Sequence, residues 1–276
     1  MQIGIMAGNF NRPTLSERFG MIASHGIYCV QFSFACVGLT ELPDRIEMDL
    51  CDEIRNEMVK NGVTMSALSG TFNMIDPDLN KREESLRRLG ILASVCNRLD
   101  TSIITLCTGT RDPYSMWRRH SDNDSEDAWN DLISSMREAL VIAEKYNVML
   151  AFEPEVSNVI DSAVKGRRLI DEFKSPYLKV VMDGANIFHK GELPRMREIL
   201  SEAFNLLGDH VALAHAKDLD HDGDAGNLPA GKGLLDYDHY MSLFKSHNID
   251  VPIILHGLSE EDVDSCVSFL HMKMGQ

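Results

Sequence analysis

The sequence predicts an α/β chain folded as a single (β/α)8 TIM barrel. Eight short runs of strand-forming residues alternate with eight longer amphipathic stretches over the chain. Its 276 residues match the roughly 250 that such a barrel uses. No linker, low-complexity segment or break in composition divides it, so residues 1–276 are expected to form one domain. The rival is a doubly wound open sheet, which favours a G-x-G-x-x-G turn after an early strand. The first loop, AGNFNRP, lacks one.

The elements follow in order. The first strand is expected over Gln2 to Ala7 and its helix over Thr14 to His25. The second strand spans Ile27 to Phe34, and its helix runs from Pro43 to Asn61 and stops at Gly62, a typical helix terminator. The third strand is Val63 to Ser69, with a helix from Leu79 to Arg98. The fourth, Ser102 to Cys107, leads into a long polar loop, TGTRDPYSMWRRHSDND. The next helix, Ser125 to Tyr146, has an N-cap serine followed by Glu126 and Asp127, which suit the positive end of a helix. The fifth strand is Val148 to Glu153 with a helix over Asp161 to Lys174, and the sixth is Leu178 to Asp183 with a helix over Leu193 to Leu207. The seventh strand, His210 to Lys217, precedes the glycine-rich loop DLDHDGDAGNLPAGKGLLD and a helix over Tyr237 to Ser246. The eighth strand is Pro252 to His256, and the closing helix runs from Glu260 to Met272.

Composition narrows the function. A formal net charge of −15 works against nucleic acid or an anionic membrane as partner, because both demand a basic surface. No run of about 18 apolar residues would span a bilayer, and the N-terminus MQIGIMAGNF does not read as a signal peptide. The six cysteines are scattered without a C-x-x-C pair, which fits reduced thiols and a cytoplasmic location. Neither a G-x-x-x-x-G-K-[ST] phosphate loop nor a G-x-S-x-G nucleophile elbow occurs.

In a barrel of this kind the active site lies at the C-terminal ends of the strands. Four consecutive strands end on groups able to hold a metal: Glu153 in MLAFEPEV, Asp183 in LKVVMDGAN, His215 in VALAHAKD and His256 in VPIILHGL. Two carboxylates and two imidazoles suit Mn, Zn, Fe or Co better than Mg or Ca, which prefer oxygen alone. Taken singly, each could equally be a helix cap or a satisfied polar group.

Five motifs, AFEPEVSNV, KVVMDGAN, AHAKD, GKGLLDYDHY and IILHGL, give the second half of the chain a family resemblance. It resembles the xylose isomerase-like barrels, the sugar phosphate isomerase/epimerase superfamily that also contains D-tagatose 3-epimerase, inosose dehydratase and endonuclease IV. The resemblance implies one divalent metal ion, Mn or Zn first and Fe or Co next, held by Glu153, Asp183, His215 and the residue at the tip of strand eight. In the sugar epimerases that last residue looks like a glutamate acting as a second acid/base; here it is His256. The residue three after the strand-six aspartate is a histidine in the epimerases and in endonuclease IV, and here it is Asn186. Together with the acidic surface, this argues against a trinuclear nuclease.

By the same resemblance Glu153 would be both ligand and base. Glu155 could orient substrate or relay a proton, or be a solvated loop residue. Lys217 shares strand parity with His215 and could neutralise an oxyanion or an anionic group, or pair with a carboxylate. Asn186 could bond a substrate hydroxyl. Asn73, after strand three, and Arg111 and Trp117, in the long fourth loop, are further candidates for substrate contact, since a guanidinium can grip a phosphate or carboxylate in a fork. The expected protein is a metal-dependent sugar or sugar phosphate isomerase or epimerase working through an enediolate on a small carbohydrate. A dehydratase or lyase with the same site, and a non-catalytic sugar-binding barrel, are the alternatives. Barrels of this kind often associate, so a homo-oligomer stays open.

Overall fold

The computed structural model describes residues 1–275. Among them, eight parallel strands close a barrel. In chain order they are β1 (Ile3–Met6), β2 (Cys29–Phe32), β3 (Thr64–Ser69), β4 (Ile103–Leu106), β5 (Met149–Phe152), β6 (Leu178–Asp183), β7 (Val211–Asp218) and, last, β9 (Ile253–Leu255). Each pairs with its neighbour in sequence, β7 pairs with both β6 and β9, and β9 returns to β1. A two-residue strand, β8 (Leu228–Pro229), adds an antiparallel pairing to the end of β7. It falls inside the glycine-rich loop that the sequence left without structure.

The helices α1 (Leu15–Ser24), α2 (Met48–Lys60), α3 (Leu79–Val95), α4 (Glu126–Tyr146), α5 (Ala163–Phe173), α6 (Met196–Leu207), α7 (Tyr237–Ser246) and α8 (Val263–Met274) alternate with the strands. Short polar side chains set several of their starts. Thr14 and Glu17 form a reciprocal capping box on α1, and Ser125 accepts from the Ala128 N–H on α4. Helix α2 begins at Met48, five residues later than Pro43. The loop before it buries Leu42 and Ile46, and its Asp44 is held by Arg87 and Arg88 of α3. Single 3-10 turns at Leu193–Arg195 and Glu260–Asp262 likewise delay α6 and α8.

Most of the core lies between the helices and the barrel wall. A smaller apolar cluster is separate from it: Cys29, Ala67, Ala151, Val181, Leu213 and Ile254, with Met6 and Ile103 packed against them. These come from all eight barrel strands and fill its interior. Successive strand residues point to opposite faces, so the inward position two residues further along each strand lies one layer nearer the C-terminal end. Seven of those eight positions hold Gln31, Ser69, Thr105, Glu153, Asp183, His215 and His256, and the one after β1 holds Gly8. An apolar plug thus supports a polar layer.

Candidate metal and substrate site

At the centre of this layer Asp183, His215 and His256 bring three ligand-type atoms within 4.8 Å of one another. Asp183 ends β6 fully buried; its Oδ1 accepts from the Ala185 N–H at 2.9 Å. His215 lies on β7, and its Nε2 is 2.9 Å from Gln31 Oε1. The acceptor is a carbonyl oxygen, so Nε2 carries the proton and Nδ1 turns toward the carboxylates. Nδ1 is 3.2 Å from Glu153 Oε2 and 3.7 Å from Asp183 Oδ2. His256 follows β9 directly, with its ring 5.2 Å from that of His215 in an edge-on arrangement. Gly257 behind it has φ +69°, and a Cβ there would meet Lys217 Cγ at 3.0 Å. Glycine favours the sharp turn that the chain makes after the imidazole.

Asp183 Oδ2, His215 Nδ1 and His256 Nδ1 are buried and make no hydrogen bond. Buried polar atoms are ordinarily satisfied, and three clustered residues that each leave one without a hydrogen bond are a donor set a divalent cation would take up once His215 gives up its Nδ1 proton. Two imidazole nitrogens and a carboxylate oxygen fit Zn, Mn, Fe or Co. Glu153 stands beside this triad, close to His215 but outside the tight group. Its Oε1 accepts from Asn186 Nδ2, and Asn186 Oδ1 in turn accepts from the Gly226 N–H at 3.1 Å.

Charge in this layer is strongly coupled. Burial works against the charged form of His215, but Glu153 and Asp183 outweigh it and push its pKa up to about 9. Burial, then the nearby His215 and Lys217, push His256 down to about 4, which leaves it a neutral imidazole with a lone pair to offer at neutral pH. Lys217 is buried with Nζ 3.4 Å from Asp183 Oδ2. Burial disfavours ionisation of Asp183, yet Lys217 and His215 hold its pKa well below the usual carboxylate range. Glu155, buried beside Glu153, is pushed up to about 7 by desolvation first and by the Glu153 charge second.

Above the layer opens a cavity of about 350 Å³. Glu153, Glu155, Asn186, His215, Lys217 and His256 all line it. Trp117, 58% exposed, reaches it from the long loop after β4. Two residues with expected substrate roles do not line it, although Asn73 borders an adjoining concavity. Arg111 donates to the Ile75 carbonyl and is paired with Asp131 of α4. Asn73 donates to the Thr110 carbonyl at 2.8 Å and accepts from the Thr110 and Ile75 N–H groups. Gly109, at φ +83°, packs so closely on Asn73 that a Cβ would clash with it. Both side chains are committed to joining the loops after β3 and β4.

The sequence reading missed Gln31, Ser69, Thr105, Cys107 and Glu41, all of which line the cavity. The first three were accessible from strand parity, since each is a polar residue at an inward position near the end of an apolar strand. Glu41 sits in an irregular loop, where its Oε1 accepts from the Thr71 N–H at 3.0 Å, and nothing local in the sequence marks it.

No functionally curated protein matches the chain by sequence. Among solved structures, 3-keto-D-glucoside 4-epimerase from E. coli superposes with a TM-score of 0.77 at 14% identity, covering 99% of each chain. The probable 3-DHS dehydratase AsbF from Bacillus anthracis gives 0.75 at 13% identity, covering 98% of each. The IolI protein with a bound zinc atom gives 0.74 at 14% identity, covering 100% of this chain and 98% of the other. At such identities the likeness concerns the fold. A family model described as xylose isomerase-like TIM barrel matches residues 19–264. That match spans most of the barrel, and the chain belongs to the xylose isomerase-like TIM barrel family.

Proposed function

We propose that this protein is a divalent-metal-dependent sugar isomerase or epimerase acting at the C-terminal face of the barrel. The observation that carries the proposal is the clustering of Asp183, His215 and His256, each with a buried atom that makes no hydrogen bond, beside the cavity that the two histidines line. These residues would hold the ion with Glu153 as the fourth ligand, and Mn or Zn is the first choice. When bound, such an ion polarises a substrate carbonyl and stabilises the negative charge of an enediolate.

The chain's own residues supply the rest. Glu153, oriented by the Asn186 amide, is placed to remove the proton next to the substrate carbonyl. Lys217 brings a positive charge to the same wall, where it can balance a developing oxyanion. Glu155 lines the cavity beside Glu153 and can bond a substrate hydroxyl or pass on a proton. Asn186 lies at the wall, and Trp117 offers an indole face to the apolar side of a sugar ring.

One observation favours a second reading, a dehydratase. His256 occupies the tip of the eighth barrel strand, where the resemblance to epimerases calls for a second carboxylate. Return of a proton to the opposite face of the substrate then lacks its usual donor, whereas elimination of water needs no such second-face base. The probable dehydratase among the structural relatives shares the fold.

The test is metal content by elemental analysis on protein purified without chelator, for the wild type and His256→Ala, followed by a screen of ketoses and inososes with the retained metal. Near one equivalent of Mn, Zn, Fe or Co, depleted in the variant, with turnover of a sugar, is expected. Protein that holds no metal and takes none up on titration would overturn the proposal in favour of a non-catalytic sugar-binding barrel.

A further inference from the structure

A second, larger concavity adjoins the cavity. It has a volume of about 780 Å³ and shares Glu41 and Thr71 with the first. The loops after β2, β3 and β4 and the exposed face of α3 form its walls. Met116 lines this groove and the next residue, Trp117, lines the cavity, so one loop borders both spaces. Tyr114 stands at the groove 88% exposed. The backbone beneath it is held: Asp112 accepts from the Tyr114 and Ser115 N–H groups at 2.9 Å each, and Arg118 is paired with the same carboxylate.

The chemistry of the two spaces limits what can fill them. Every lysine or arginine that lines either one is already set against a carboxylate. Lys217 is 3.4 Å from Asp183, Lys81 is 3.9 Å from Asp76, and Arg88 is 2.9 Å from Asp44 and 3.0 Å from Glu84. Acidic side chains outnumber these bases along both linings. Arg111, the guanidinium that could have gripped a phosphate, is turned away to Asp131. Apart from the ion itself, a phosphorylated sugar would find no lysine or arginine free of a carboxylate to grip its charge. Polar groups interleaved with Phe72, Tyr114 and Met116 instead match the hydroxyls and apolar faces of an uncharged sugar.

We infer that the substrate is an uncharged glycoside, with its reacting ring in the cavity and its second sugar unit in the groove beside Tyr114. The inference rests on the sugar-processing reading above and narrows its substrate class. Glu41 and Thr71 mark the boundary across which the glycosidic link runs.

Binding separates this from the alternatives without relying on turnover. The full chain, with the metal it retains, would be titrated calorimetrically with neutral disaccharides (cellobiose, maltose, lactose, gentiobiose, sucrose), with their component monosaccharides, and with glucose 6-phosphate and fructose 6-phosphate. At least one disaccharide should bind about tenfold or more tighter than its monosaccharides, and the sugar phosphates should bind more weakly still. Tyr114→Ala should remove most of that gain, about tenfold at the upper range of an aromatic contact, and leave monosaccharide affinity unchanged. Tyr114→Phe should keep it. Monosaccharides that bind or turn over with no gain from any disaccharide would overturn this inference alone, as would tighter binding of a sugar phosphate. Failure of every sugar to bind would remove the underlying reading as well.

Discussion

Gln31 on β2 and His215 on β7 meet inside the barrel, with Oε1 and Nε2 2.9 Å apart. The same amide donates to Ser69 Oγ and Thr105 Oγ1, each at 3.0 Å. Strands from opposite sides of the ring are thus joined through one side chain, and the join decides which imidazole nitrogen faces Asp183. Partners of this kind typically contribute 10–100-fold to metal affinity, in rough terms. Gln31→Leu should fold, lose about that much affinity for Zn or Mn in a chelator competition, and shift the His215 ring nitrogens in an NMR spectrum. Unchanged affinity and unchanged ring signals would show that the amide plays no orienting part.

Stability offers a separate view of the orphaned triad. A ligand that binds only the folded chain raises stability in proportion to the logarithm of its concentration over Kd. Chelation should therefore lower Tm, and adding back Zn or Mn should restore it. His256→Ala should respond weakly to both treatments. A wild-type Tm indifferent to chelator and to added metal would count against any ion at this place.

Lys217 tests how the layer balances its charge. Removing one member of a buried ion pair costs roughly 3–5 kcal/mol, since the other charge is left uncompensated. Lys217→Met should be destabilised by about that amount without metal, because Asp183 loses its nearest cation. A divalent ion would supply the missing charge, so the deficit should shrink when Zn or Mn is added. Denaturant unfolding with and without metal would measure the difference; an equal deficit in both would rule out the shared carboxylate.

Arg111 should behave as a structural residue. Arg111→Ala removes a donor to the Ile75 carbonyl and one of two guanidinium partners of Asp131, the other being Arg82. We expect a loss of about 1–3 kcal/mol in stability, the usual cost of stripping a buried polar group of its partner. Substrate affinity should change little. A large rise in KM with unaltered Tm would return Arg111 to the substrate site.

The barrel strands were legible because each is a short apolar run bounded by turn residues, and because the inward period of two continues up to a polar tip. That is why Glu153, Asp183, His215 and His256 align in the sequence, and why they occupy one layer. Arg111 and Asn73 were harder. Their loop positions matched a binding role, but the partners that occupy them, Asp131 on α4 and Thr110 on the next loop, are fixed only by how neighbouring units pack. Glu41 failed for the converse reason: its loop carries no periodic signal, and it reaches the cavity because Leu42 and Ile46 anchor that loop into the core. The late start of α2 has the same origin.

Asp218, one residue beyond Lys217, receives the N–H groups of Leu219, Gly231 and Leu235 on its two carboxylate oxygens. This single side chain ties both ends of the glycine-rich loop to the end of β7. The mouth of the barrel is thereby asymmetric in the chain segments that build it. Groups able to do chemistry come from the second half of the chain, whose longest loop is bolted down, while the groove beside them is written in loops of the first half. A lineage could rewrite residues 38–45 and 112–117 and change what is recognised while the reactive apparatus is passed on intact.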